Sequence, residues 1–572
     1  MQMKTETKNC QNCKKDFTIE PEDFNFYEKI KVPPPTFCPE CRMQRRMVWR
    51  NERTLYKRIC DLCKKNIIAM YDESAPFPVY CRECWYGDNW DASIYGREYD
   101  FSKTFFDQMK ELSRVVPRLA LWQRNLINSD YTNMSAESKN VYLSVSIINS
   151  ENIFYSKGAD ESREIVDSYN VKMSENCYEN IQCEKNYNCQ YCVLSRNCID
   201  SYFLIDCVNC SNCIMSSNLR NKQFYIRNQQ YSKESYFKLL LEINLESRQS
   251  RQKLLREFFQ MCNTATYRFA NILKSNNSTG NNLSNTDNAR FCFDGYDLEN
   301  IKYCYRAFSV KDCMDFDYGI KSELMYEYTT GALDDFNVKF SVSALDNVRD
   351  SEYTELCTSG NNLFGCISFR NKSNSILNKV YEEKEFINLR EKIINNMNEH
   401  PYIDKNGREY KYGEFFPIEI SPFAYNETAA QDFFPLSKED TILKGYNWKQ
   451  VDSKTYKITV PSEKISDHIN EVSESILDEV LGCKHKQSCN HSCYLAFKLT
   501  KDEFQFYKKN SIPIPDLCSN CRFYERFEKI PLPKLWHRKC MNEGCQNEFE
   551  TPYAPSRPER VYCESCYNKE IY

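Results

Sequence analysis

From Ser138 onwards, every third residue of this chain is small or apolar. The series runs Ser138, Val141, Ser144, Ile147, Ser150, Ile153, Ser156, Ala159, Ser162, Ile165, Ser168, Val171, Ser174 and Cys177. Its phase continues through Cys183, Cys189, Cys192, Cys198, Cys207, Cys210 and Cys213. An α-helix needs a repeat of 3.6 and a half-buried strand a repeat of 2, so neither accommodates the pattern. Stacked short coils do: a β-solenoid turns tightly, and small residues and Asn line its corners. A second tract steps by three at Gly295, Leu298, Ile301, Cys304, Ala307, Val310 and Cys313. Leu283 and Ala289 keep that phase through the Asn/Ser-rich stretch 275–288, which therefore reads as solenoid turns in preference to a disordered linker. Residues 220–237 match residues 370–387 at a constant offset of 150. Each copy then enters an amphipathic helix, placed to cap the open end of its tract and block edge pairing.

The two ends of the chain obey a different rule. Four Cys-x-x-Cys pairs occupy the N-terminus: Cys10/Cys13, Cys38/Cys41, Cys60/Cys63 and Cys81/Cys84. Structural Zn²⁺ takes four thiolates in a tetrahedron, and two such pairs supply them. Sequential pairing and interleaved, cross-brace pairing both fit the spacing. The C-terminus repeats the arrangement. Cys13, Cys38, Cys41 and Cys60 map to Cys493, Cys518, Cys521 and Cys540 at an offset of 480, and after a two-residue insertion Cys63, Cys81 and Cys84 map to Cys545, Cys563 and Cys566. Cys10 maps to Asn490, so Cys489 is taken as the missing ligand, with Cys483, His485 or His491 as substitutes. About four zinc ions per chain are expected.

The first half of each module, NCQNCKKDFTIEPEDFNFYEKI followed by PPPTFCPECRMQRR, resembles the bacterial "probable zinc-ribbon" family. The order of parts along the whole chain is similar to that of large, uncharacterised zinc-ribbon proteins of candidate-phyla bacteria. The resemblance covers about 40 residues per copy and names relatives rather than a function.

The segment after Cys41, RMQRRMVWRNERTLYKR, lacks Gly and Pro and is rich in helix formers, so it should leave the knuckle as a helix. Arg42, Arg45, Arg46, Arg50, Arg53 and Lys57 recur at three- and four-residue steps and share one face, with Trp49 and Tyr56 able to stack on bases. The C-terminal copy carries Arg522 and Arg526, diluted by Glu525 and Glu528. A solvated face, or internal pairing with acidic segments such as Glu20–Asp23, is the alternative. The net charge of −4, from 76 basic and 80 acidic residues, means that any nucleic-acid contact must come from such a local patch.

The remaining composition narrows the class. The 31 cysteines could suggest a secreted disulfide protein, but the charged N-terminus lacks a signal-peptide core, no apolar run of about 18 residues exists, and the close Cys pairs have metal spacing. A reducing, cytoplasmic location is expected. Cys207-x-x-Cys210-x-x-Cys213 has iron–sulfur-like spacing but lacks the usual x₃-C-P continuation, so the tract cysteines are expected to pack as small core residues. There is no G-x-S-x-G, H-E-x-x-H or P-loop motif, and only five His. Asp312, Asp315 and Asp317 are expected to form a solvated acidic turn. The aromatic, Pro-punctuated stretch 414–437 is expected to pack the C-terminal module against a solenoid.

The expected fold is mainly β with α. It places an N-terminal zinc module at 1–90, a helical connector at 91–137, a β-solenoid at 138–231, helices at 232–274, a second β-solenoid at 275–381, a helix and connector at 382–482, and a C-terminal zinc module at 483–572. Each module is expected to be zinc-ribbon or treble-clef-like with two sites. The expected function is non-enzymatic zinc binding with RNA (more than DNA) held by the basic helices, within a ribonucleoprotein or with a protein partner. The alternative is a structural or protein-interaction scaffold using the solenoid faces. No membrane or small-molecule partner is expected.

Overall fold

The computed structural model describes residues 4–450 and 456–572. Residues 1–3 of the expected N-terminal module and 451–455 of the expected connector lie outside the described residues. The protein is β-rich, with cysteine clusters towards both ends of the chain. It forms two compact units that do not follow chain order. One comprises Met1–Trp122, Ala270–Gln450 and Pro533–Leu535; the other comprises Gln123–Phe269, Val451–Leu532 and Trp536–Tyr572. Each unit therefore joins one terminal module to the repeat tract that lies farther from it in sequence.

The second unit contains a parallel ladder whose strands pair at a step of twelve residues. Val145 lies beside Lys157, Ile153 beside Ile165, Tyr169 beside Ile181, Tyr187 beside Ile199, and Ser211 beside Gln223. The ladder begins at Gln123–Ile127, inside the stretch expected to be a helical connector; that stretch has one α-helix, Phe105–Ser113, and it belongs to the other unit. The step of three appears in the backbone as a left-handed residue at every third position, with Asn140 at φ 53°, Asn149 at 49°, Asn152 at 59°, Asn176 at 54° and Asn188 at 52°. Asn tolerates this conformation because its short side chain hydrogen-bonds locally. Here the amides also stack: Asn128 donates to Asn140 (2.9 Å), Asn140 to Asn152 (2.9 Å) and Asn176 to Asn188 (3.1 Å).

The buried every-third positions form columns at the twelve-residue step, some of serine (Ser138, Ser150, Ser162, Ser174) and others of aliphatic residues (Val141, Ile153, Ile165). An inward-turned N–H cannot reach water, so it must find an acceptor inside. The serines supply it: Ser150 N–H donates to Ser138 Oγ (3.1 Å), Ser162 N–H to Ser150 Oγ (3.0 Å), and Ser174 N–H to Ser162 Oγ (3.1 Å). Further along, cysteine takes these places. Cys177, Cys183, Cys189, Cys192, Cys198, Cys207, Cys210 and Cys213 all lie in the buried core of the ladder. Their thiols face backbone carbonyls, as in Cys189 Sγ to Tyr187 O and Cys198 O, both 3.4 Å. Burial pushes the Cys183 thiol up to about 12, which suppresses its reactive thiolate. Alkylating reagents should therefore leave Cys183, Cys189 and Cys198 unmodified in the native protein and label them only in denaturant, as peptide mass spectrometry would read. Labelling at native rates equal to those in urea would contradict the packing.

The first unit's ladder is less regular. Its step is eleven at Ile272 and Leu283, twelve at Met314 and Tyr326, thirteen at Tyr326 and Lys339, and twelve again at Arg349 and Asn361. Gly331, at φ 84°, lies in a lengthened rung. Residues 280–288 of the Asn/Ser-rich stretch are strand. Both ladders end alike, in a short antiparallel return (Tyr225 with Gln230, Ser375 with Val380), followed by the helices Lys233–Ile243 and Glu383–Glu399.

Candidate metal centres

Each terminal cysteine group is assembled from the same two pieces. A short antiparallel hairpin presents the first ligands: Glu6–Asn9 with Asp16–Ile19, Tyr56–Ile59 with Asn66–Ala69, Leu481–Gly482 with Ala496–Phe497, and Trp536–Lys539 with Glu548–Thr551. A helix N-terminus presents the others, with Cys38, Cys81, Cys518 and Cys563 each at the residue that precedes the first helical turn. Free N–H groups and the positive end of a helix favour a thiolate there.

The ligand atoms within each of the groups Cys10/Cys13/Cys38/Cys41, Cys60/Cys63/Cys81/Cys84, Cys483/Cys493/Cys518/Cys521 and Cys540/Cys545/Cys563/Cys566 lie within 4.8 Å of one another. A further group, His485/Cys489/His491/Cys521, satisfies the same limit. The donor chemistry fits a soft tetrahedral ion such as zinc. The surroundings fit it too, because in all four tetrathiolate groups the first sulfur accepts a backbone N–H from the third cysteine. These bonds are Cys38 N–H to Cys10 Sγ (3.2 Å), Cys81 to Cys60, Cys518 to Cys483 and Cys563 to Cys540 (3.3 Å each). Burial raises the Cys60 thiol, but backbone hydrogen bonds at Cys81, Cys63 and Leu62 outweigh it and leave it lowered to about 7.

Of the two pairings that the spacing left open, the N-terminal cysteines group sequentially, and one residue of the expected ligand set changes. In the third group Cys483, not Cys489, takes the place of Cys10, since Cys483 accepts the equivalent N–H bond. Sequence offset pointed to the wrong residue because the first two ligands are three residues apart in one copy and ten in the other.

The basic segment differs more. The helix after Cys38 spans only Pro39–Met47, after which the chain tightens and turns, and Tyr56–Ile59 is a strand. Buried Asn51 holds this turn, accepting the Thr54 N–H (3.0 Å) and donating to Met70 O (2.8 Å). Arg42 and Arg45 are 1% exposed, and Arg46 and Arg50 are 0% exposed. They do not face solvent as nucleic-acid contacts. Instead they meet the ladder: Arg42 bonds Asp315 (2.8 Å), Arg46 bonds Asp317 (2.7 Å), Asp315 (3.1 Å) and Glu327 (3.2 Å), and Arg45 bonds Glu327 (2.6 Å) and Glu414 (2.9 Å). Arg50 pairs with Glu52 and lies over the Tyr318 ring. Trp49, expected to stack on bases, is buried against Phe415 and Phe416. Arg53 approaches Asp432 at 3.7 Å, and Lys57 alone of the seven is exposed, on the strand.

Asp315 and Asp317 are therefore buried acceptors rather than a solvated turn. The stretch 414–437 packs within this first unit, against the N-terminal module. Ser421 donates to Val48 O (3.1 Å), and Ala429 N–H to Arg50 O (2.9 Å). The second unit repeats the device: Arg522 and Arg526 form ion pairs with Asp167 (2.9 and 3.0 Å), and Arg526 donates a hydrogen bond to Glu179 (2.7 Å). Burial raises the Glu179 carboxyl to about 7, against the lowering effect of Arg526. Asp315 and Glu327, like Asp167 and Glu179, stand twelve residues apart, one ladder step, so each pair is stacked to receive two arginines one helical turn apart. That spacing was the missed signal.

No family model matches the chain, and no curated protein does. Among solved structures, one match is titled "Crystal structure of putative acetyltransferase from Desulfovibrio desulfuricans G20"; it is 9% identical, covers 50% of this chain and 86% of that chain, and has a TM-score of 0.12. The expectation of a non-enzymatic protein is withdrawn to an open question beside that title and is not carried forward. At that TM-score the likeness carries no argument, and no activity is drawn from it. No helix among the described residues is long and apolar enough to cross a membrane.

Proposed function

We propose that this chain is a zinc-stapled scaffold for a protein partner. In this reading both ladders are β-solenoids, the terminal modules are relatives of zinc-ribbon and treble-clef domains, and zinc is structural. The observation that carries it is the neutralisation of Arg42, Arg45 and Arg46 by buried Asp315, Asp317, Glu327 and Glu414. A basic segment consumed in this way has no charge left for phosphates, so the reading of these arginines as an RNA or DNA contact is set aside. The solenoid faces remain as binding surface. One column runs Lys139, Glu151, Arg163, Glu175 with alternating charge, paired at 3.4 and 2.7 Å, and then continues with Tyr187 and Ile199, which are 50% and 47% exposed. Adjacent exposed apolar residues beside charged ones suit a protein surface. A reducing cytoplasm suits the thiol-rich chain.

The test measures nucleic-acid affinity against salt. Four arginine–phosphate contacts would give a slope of log K against log salt of roughly −3 to −4. The scaffold reading expects no binding of that steepness and no nucleic acid carried through purification. It also expects a discrete protein adduct in cells from a photo-crosslinking residue at Tyr187, lost in an Ile199→Asp background. Steep binding with no adduct overturns it.

A further inference from the structure

The hairpin that carries Cys483 and Cys493 holds an inserted loop with three additional soft ligands, His485, Cys489 and His491. The loop returns all three to the tetrathiolate group. Cys489 Sγ lies 3.7 Å from Cys521 Sγ, nearly the same as the 3.8 Å from Cys483 Sγ to Cys521 Sγ. Each histidine is prepared on one side only. His491 Nε2 lies 3.0 Å from Glu528 and His485 Nε2 3.5 Å from Glu525. A carboxylate accepts and does not donate, so in the neutral imidazole Nε2 carries the proton and Nδ1 keeps its lone pair. Both Nδ1 atoms are buried without a hydrogen-bond partner. An orphaned, buried imidazole nitrogen beside two thiols, its other nitrogen held by a carboxylate, is the arrangement that metal-ligating histidines adopt.

The two glutamates support the same reading from the sequence. Glu525 and Glu528 stand where the N-terminal copy has Arg45 and Val48. In that copy Arg45 serves the ladder acids and there is no inserted loop. The changes that weaken the basic helix of the C-terminal copy thus coincide with the arrival of the histidines that they orient.

We propose that the C-terminal module binds two metal ions here, the second held by His485 Nδ1, His491 Nδ1, Cys489 and a Cys521 thiolate that bridges it to the tetrathiolate site. Charge favours the bridge. Four thiolates leave one Zn²⁺ with a net double negative charge; a second Zn²⁺ that brings one further thiolate reduces this to a single negative charge, which is cheaper to hold in a partly buried site. Sharing is also required by count, because Cys521 belongs to both ligand groups. The full chain then holds five ions rather than four.

Native mass spectrometry of the full chain, purified without added metal, tests this. Five zinc ions are expected, and four in His485→Gln/His491→Gln with the far-UV spectrum unchanged. Four ions in both proteins overturns the site. Should the double variant misfold, the wild-type protein decides by cadmium-113 exchange and NMR. A bridging thiolate gives scalar coupling between two of the five signals; five uncoupled signals, or four, overturn the bridge.

Discussion

Removing metal from the intact chain with a strong chelator is expected to unfold both terminal modules and to detach their basic helices from the ladders. Structural zinc contributes about 10–16 kcal/mol of apparent binding free energy in small modules, comparable to the whole stability of a typical domain, about 5–15 kcal/mol. The hairpins of these modules are only two to four residues per strand, too little to persist alone. Hydrogen exchange should then accelerate at residues 315–327 and 167–179, whose carboxylates lose their arginines, while the far-UV β signal of the ladders persists. Cys38→Ser should reproduce the effect in the first unit only. Unchanged exchange at 315–327 after chelation would mean that the ion pairs hold the module without metal.

Arg46→Ala should be the most damaging change that spares every proposed metal ligand. Its guanidinium reaches Asp315, Asp317 and Glu327, all 0% exposed. Removing one partner of a buried ionic cluster strands the others and costs about 3–5 kcal/mol. The loss should depend on pH in a definite direction. Burial raises the Asp317 and Glu327 carboxyls above their ordinary values, and Arg46 opposes that rise in both. A carboxyl raised in the folded state binds its proton more tightly there than in the unfolded chain. Its contribution to stability therefore falls as pH climbs from the unfolded value towards the folded one. Without Arg46 the folded values rise further, so the variant should be least impaired near pH 4 and progressively worse towards neutrality. Denaturant melts of wild type and variant at several pH values read this directly. Combining Arg46→Met with Asp317→Asn and Glu327→Gln should recover most of the loss, because a neutral buried cluster needs no counter-charge. A variant equally stable at every pH would show that the arginine is not electrostatically coupled to the ladder.

Much of this architecture was legible because it rests on local chemistry. Cysteine spacing identified the terminal groups, since a tetrahedral ion demands thiolates at short, fixed separations. The step of three was visible from Ser138 onwards because every third side chain is buried. The step of twelve was present in the same letters, in the stacked Asn residues and in the Asp–Glu pairs, but it describes which strands touch, and that depends on how many residues separate paired strands. The inserted loop hid Cys483 behind Cys489, because a metal group is defined by distance in space and an offset counts residues along the chain.

The letters alone carried the inventory: cysteine groups with metal-ligand spacing towards each end, two tracts whose every third residue is small or apolar, and a run of arginines with a three- and four-residue step. What the arginines do was settled by packing. A guanidinium at a helix surface is suited equally to a phosphate or a carboxylate. The choice was made by which ladder each module packs against. Asp315 and Glu327 lie some 270 to 285 residues from the arginines that they receive, and only the folding of each terminal module onto the tract more distant in sequence brings those charges into contact.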